Sequence, residues 1–172
     1  MAAETDRVVM QTEIREYPLM RRGKVRDIYD LGDTLLFVAT DRISAFDVVM
    51  PNGIPGKGRV LTQMSLFWFD FLSDVVESHL VTADVDRYPA ALRAYREQLE
   101  GRSMIVAKAD RVEAECIVRG YISGSMWKEL QEARKRGTNA VHGFEFPPAL
   151  GESEQLPRPI FTPSTKNDDG HD

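Results

Sequence analysis

Four stretches of this chain gather residue types that can hold anions or move protons. The first is Arg21-Arg-Gly-Lys-Val-Arg-Asp27. A glycine at a strand-to-strand turn lets backbone amides approach phosphate, and Lys24 and Arg26 supply charge. No Gly-x4-Gly-Lys-Ser/Thr pattern occurs anywhere, so this is not a Walker A loop. Taken alone, a solvated basic hairpin is the more economical reading, because charge runs are usually surface. The second stretch, Asp41-Arg-Ile-Ser-Ala-Phe-Asp47, follows a strand and puts Asp41, Ser44 and Asp47 close together. Such carboxylates could orient an amine, hold Mg2+ or bond a ribose hydroxyl, or else serve only turn and capping chemistry. In the third, Glu115 to Lys128, a strand delivers Arg119, a Ser-Gly-Ser turn follows, and a helix begins near Ser125. Free amides at a helix start, with Arg119 and Ser125 beside them, would suit a phosphate. The alternative there is that Ser123 merely caps the helix. The fourth, Phe161 to Asp172, concentrates Lys166, Asp168, Asp169, His171 and Asp172 with little apolar anchorage, and a disordered acidic tail would share its composition.

The elements that would carry these stretches follow from periodicity. Val25–Leu31 and Thr34–Thr40 are rich in β-branched and aromatic residues around Gly32-Asp33, which predicts a β-hairpin. Met50 to Gly58 is too full of Gly and Pro for regular structure. From Arg59 to Glu77, apolar residues at Leu61, Met64, Trp68, Phe71, Leu72 and Val75 keep helical spacing. Phe67 and Phe69 widen that stripe, which predicts a helix buried on more than one side. A second helix is expected over Pro89–Leu99 and a third over Ser125–Arg136, the latter ended by Lys135, Arg136 and Gly137. Ser103–Lys108 and Glu115–Ile122 read as strands. The polar residues up to about Arg15 are expected to be loosely held. Beyond Gly137, Pro147, Pro148, Pro157, Pro159 and Pro163 leave little room for helix or central strand, which predicts a long irregular tail. This irregular interleaving favours an α+β fold over a doubly wound sheet.

Composition narrows the function classes. With 42% hydrophobic and 28% charged residues, the 172-residue chain is globular rather than disordered. Its net charge of −5 excludes a global basic field, so neither nucleic acid nor a membrane is an expected partner. Cys116 is the single cysteine, and His79, His142 and His171 are scattered, so neither a disulfide nor a zinc site is expected. The longest stretch without Asp, Glu, Lys or Arg, Val60 to Phe69, falls far short of the roughly 20 residues of a membrane helix. Acids precede any apolar run at the N-terminus, unlike a secretory signal. A cytoplasmic protein is the expectation.

Taken together and in order, the motifs resemble a known family. Gly-Lys-Val-Arg-Asp-Ile-Tyr, Asp-Arg-Ile-Ser-Ala-Phe-Asp, Ile-Pro-Gly-Lys-Gly, Glu-Cys-Ile-Val-Arg-Gly-Tyr-Ile-Ser-Gly-Ser and Phe-Thr-Pro-Ser-Thr-Lys-x-Asp-x-Gly-His-Asp are similar to those of the phosphoribosylaminoimidazole-succinocarboxamide synthase (SAICAR synthetase) family, from about Tyr17 to Asp172. The resemblance implies a ligase of purine biosynthesis with ATP and Mg2+. It would activate the carboxylate of an imidazole ribonucleotide as an acyl phosphate and join it to L-aspartate. It implies ATP contacts at Gly23, Lys24, Arg26 and Lys108, the last near adenine. It implies substrate contacts at Ser44, Asp47, Arg119 and Ser125, with Arg119 and Ser125 on the 5′-phosphate. Lys166, Asp168 and Asp172 match the segment at the reacting centre. The implied organisation is a loose N-terminus (1–16), a β-rich ATP-binding subdomain with two helices (17–110), and the start of a nucleotide- and aspartate-binding subdomain (111–172). The family's chain continues beyond this point with its acidic metal ligands, so a fragment is expected, with the Val60–Val76 helix losing part of its cover. Partners compatible with this are a second copy or a complementing C-terminal half. The rival readings are a small-molecule kinase and a non-catalytic nucleotide-binding chain.

Overall fold

In the computed structural model, residues 7–46, 48–110 and 112–165 are described. The chain divides into two compact units, Met1–Asp110 and Arg111–Asp172. The architecture is α+β, with antiparallel pairing throughout its sheets.

The first unit is built on a five-stranded sheet. Its strands are β1 (Leu19–Arg22), β2 (Arg26–Asp30) and β3 (Thr34–Ala39), with two more after a short hairpin of β4 (Ser44–Ala45) and β5 (Val48–Val49). Next come α1 (Lys57–Phe71), β6 (Leu80–Thr82), α2 (Ala90–Arg93), α3 (Arg96–Leu99) and β7 (Ser103–Ala107), in the sheet order β1-β2-β3-β7-β6. Alternation sorts the faces: Tyr29, Leu36, Val38 and Ile105 join Ile14, Val85, Tyr88, Leu92 and Leu99 in one core. Arg26, Phe37, Ala39 and Met104 line a cleft under α1 with Leu61 and Thr62.

Three expectations for this unit need correction. Residues 7–16 are not loose. Thr12 is fully buried and Ile14 nearly so, because the backbone of this strap donates to carboxylates of the sheet. The long helix stops at Phe71, and it is not buried on several sides: only Gly58 and Thr62 are buried. Small residues set that contact, since a Cβ on Gly58 would lie 2.1 Å from the Ala39 carbonyl oxygen. The bulky side chains therefore face outward, with Phe67, Trp68 and Phe71 packed on one another. The Pro89–Leu99 helix is two short turns broken at Tyr95, whose hydroxyl accepts the Arg15 amide at 3.3 Å.

The second unit holds β8 (Ala114–Glu115), β9 (Val118–Tyr121), α4 (Gly124–Lys135), β10 (Ala140–Val141), β11 (Phe144–Glu145), β12 (Gln155–Phe161) and β13 (Ser164–Thr165). The single strand expected over Glu115–Ile122 is thus two. Met126, Leu130 and Ala133 of α4 bury one helical stripe against Ile122, Val141, Phe146, Leu150, Leu156 and Ile160. Arg134 staples the helix end to its loop, donating to the Pro147 and Leu150 carbonyls at 3.1 and 2.9 Å. The proline-rich stretch is therefore no irregular tail. β12 accommodates Pro157 and Pro159 because it pairs with β9 alone, with a register break between Gln155 and Ile160.

Candidate functional site

In the first unit the glycine hairpin sits on a buried arginine. Gly23 donates its amide to the Arg26 carbonyl at 2.8 Å, closing the β1–β2 turn. Beneath it, the 7%-exposed Arg42 side chain donates to the Gly23 carbonyl at 2.8 Å, the Lys24 carbonyl at 3.3 Å and Asp27 at 2.8 Å. It also bonds the Met10 carbonyl. Asp27 is fully buried and further accepts from the Thr12 amide and hydroxyl and from Arg22. The turn's carbonyls are thereby fixed inward, an arrangement that suits amides and cations presented outward. Gly23 has no positive φ, and a Cβ there would meet only the Arg26 carbonyl oxygen at an ordinary 3.5 Å. The fold does not demand glycine at this position, so its use fits close approach of a ligand.

Asp41, one of the candidate carboxylates, is spoken for by the fold. It accepts from the Val9 amide at 2.7 Å and the Gly58 amide at 2.9 Å, and pairs with Arg102 at 2.9 Å. Burial alone would raise its carboxyl. The two amides and the Arg102 guanidinium outweigh that and hold it below the usual carboxylate value. The turn-and-cap reading is right for Asp41, which caps α1 from outside the helix. Ser44 opens the β4–β5 hairpin, half-buried, beside Phe46, whose φ is 49° and whose ring is fully exposed. Lys108 follows β7 and pairs with Asp30 at 2.7 Å. Lysine's hydrogen bond and the Gly32 amide lower the Asp30 carboxyl. Asp30 and Arg26 are the two ends of β2, so the fold holds Lys108 a strand's length from the hairpin tip.

The second unit brings Arg119 and Ser125 together. Arg119 Nη2 donates to Ser125 Oγ at 3.2 Å, and Arg119 Nε donates to Thr162 Oγ1 at 3.0 Å. Ser123 occupies the N-cap position of α4, but its side chain makes no capping hydrogen bond. The helix start therefore keeps amides for an anion, with a guanidinium and a hydroxyl at hand. The capping alternative for Ser123 fails on this geometry. Gly120, next to Arg119, has nothing within 4 Å of where a Cβ would stand and no positive φ, again leaving room for a ligand.

Lys166, Asp168, Asp172 and Asp47 lie outside the described residues. Among the described residues no group of three or more His, Cys, Asp or Glu side chains could hold a metal ion. Asp27 and Asp41 direct their oxygens at arginines and amides, so they do not fit Mg2+. No described helix is long and apolar enough to cross a membrane. Sequence reasoning missed Arg42, Asp27, Thr162 and Gly120. Only their place inside the motifs hinted at them, because their partners are distant in the chain.

Comparisons with known proteins identify the family. A family model described as SAICAR synthetase matches residues 19–172. A phosphoribosylaminoimidazole-succinocarboxamide synthase of Thermodesulfovibrio yellowstonii is 58% identical over 165 residues, covering 96% of this chain and 55% of that protein. One of Syntrophotalea carbinolica is 59% identical over 166 residues, covering 96% and 54%. The solved Saccharomyces cerevisiae SAICAR-synthase complexed with SAICAR superposes with a TM-score of 0.81 at 51% identity, over 93% of this chain and 55% of that one. The chain thus spans about half the length of the curated relatives it matches. With the family model matching nearly the whole chain and several relatives above half identity, the chain belongs to the SAICAR synthetase family.

Proposed function

We propose that the protein contributes to an ATP-dependent ligase of de novo purine biosynthesis, acting in the cytoplasm. It would join L-aspartate to the carboxylate of 5-amino-1-(5-phosphoribosyl)imidazole-4-carboxylate. The observation that carries this reading is the Arg119–Ser125 pair at the uncapped start of α4, which suits a ribonucleotide 5′-phosphate. Support comes from the 51%-identical yeast enzyme, which binds SAICAR.

In this reading the carboxylate takes the γ-phosphoryl group of ATP and ADP leaves. The aspartate amine then attacks the acyl carbon, the C–N bond forms, and the C–O bond breaks with its electron pair going to phosphate. The ammonium proton passes to a base. Work of this kind is mostly positioning and charge neutralisation. Gly23, Lys24 and Arg26 would meet the ATP phosphates, and Lys108 the adenine side. Ser44 and Asp47 would lie beside the carboxylate and ribose. Lys166, Asp168 and Asp172 would serve the reacting centre. Among the described residues no cluster of carboxylates or histidines offers a donor set for Mg2+.

ADP formation by the purified chain with Mg-ATP, the imidazole ribonucleotide and L-aspartate tests the reading, each being omitted in turn. Release that needs all three establishes the ligase. Release without aspartate points to a kinase. A second reading, one half of a complementing pair, is favoured by the outward aromatic face of α1. It expects no release until a polypeptide matching the relatives' remaining length is added. A homo-oligomer is the other assembly that would cover such a face.

A further inference from the structure

Lys57 opens α1 half-buried, and no hydrogen bond or ion pair ties its ammonium to a described residue. Its surroundings are cationic. Arg26 pairs with Ala39 in the β2–β3 ladder, and both line the 110 Å³ cleft beneath α1 together with Leu61 and Thr62. Gly58 is pressed onto the Ala39 carbonyl, so the first turn of α1 lies directly on the residue that pairs with Arg26. Lys57 precedes Leu61 by one helical turn and shares its face of α1. Arg42, beneath the Gly23–Lys24 turn, is close enough to act on Lys57 by its charge. Among the described residues the acid that acts on Lys57 is Asp41, and its oxygens are taken by Val9, Gly58 and Arg102. Burial, then the charges of Arg26 and Arg42, hold the Lys57 ammonium below lysine's ordinary value against the pull of Asp41.

A cation placed among cations is a cost in the free protein, and such placements are retained where an anion will neutralise them. We propose that Lys57 is a further phosphate-binding residue, closing with Arg26 and the Gly23–Lys24 turn on the polyphosphate of a nucleoside triphosphate. This rests on the reading of that hairpin as the ATP-phosphate site.

The test titrates tripolyphosphate, and separately ATP, into the 172-residue chain and into Lys57→Met, followed by amide NMR and thermal melting. The expected result has two parts: affinity falls about tenfold or more, while the melting temperature stays level or rises because like-charge repulsion is relieved. Lys57→Arg should recover most of the affinity. Equal affinity in Lys57→Met and wild type, with the Gly23–Arg26 amides shifting in both, overturns the Lys57 assignment and leaves the hairpin reading intact. If those amides do not move in wild type, the hairpin reading falls and Lys57 with it. Should Lys57→Met fail to fold, the side-chain 13Cε signal of Lys57 in wild type decides. It should shift with tripolyphosphate, and an unmoved signal beside shifting hairpin amides overturns the proposal.

Discussion

At the scale of single residues, the arginines divide sharply by role. Arg42 is buried and bonded to three carbonyls and the Asp27 carboxylate, and Arg102 is buried and paired with Asp41, whereas Arg119 is half-exposed with a hydroxyl on either side. Arg119→Ala should therefore weaken binding of a ribonucleotide phosphate far more than binding of ATP, by about tenfold or more. Equal losses in paired titrations would count against the phosphate assignment. Gly23→Ala should leave the melting temperature within about a degree or two, because the added Cβ meets no clash. The same change should reduce ATP affinity by crowding the phosphates, as calorimetric titration would read. Asp41 behaves differently. Its carboxyl is depressed in the fold, so its stabilisation is present above the ordinary carboxylate value and is lost as pH falls through the lower, folded value. Asp41→Asn should cost about 3 kcal/mol near neutral pH, since it strands the Arg102 charge. The mutant's urea-melt stability should then lose less than wild type's on acidification below the carboxylate range.

At the scale of elements, α1 is the informative case. Its hydrophobic spacing is real, but spacing reports an apolar face and not what covers it. Here the covered face is the one with small residues. Val60 is 59% exposed, Met64 53%, Phe67 60%, Trp68 49% and Phe71 66%. Burying these would remove roughly several hundred Å² of apolar surface, the scale of patch that often marks a contact site. Phe67→Lys with Phe71→Glu should lower dye binding and concentration-dependent light scattering while leaving the melting temperature nearly unchanged. A marked loss of stability would show that the aromatic cluster is already part of the core. β12 shows the converse: prolines argued against regular structure, yet a two-stranded edge pairing tolerates them and carries Leu156 and Ile160 into a core.

At the scale of the molecule, two cores stand in two units. Leu130 is fully buried in the second core. Leu130→Ala should cost about 3 kcal/mol there. In native-state hydrogen exchange, protection should fall for the α4 and β9 amides and hold for β2, β3 and β7. Uniform loss across both units would show that they unfold as one.

The order of motifs by itself determined the family, and local patterns determined the Val25–Thr40 hairpin, the α4 helix and the pairing of Arg119 with Ser125. These signals are short-range. Turn residues, helical periods and a strand-to-helix junction are written within a few neighbours. What only the tertiary structure decided was where side chains find distant partners. Arg42 meets Lys24, Gly23 and Met10 across 18, 19 and 32 residues, and Thr162 meets Arg119 across 43. The polar strap 7–16 looked loose because its acceptors, Asp27 and Asp41, lie 15 and 32 residues along the chain. No local pattern encodes such contacts. They appear only when closing the sheet buries a carboxylate and obliges the nearest donors to satisfy it.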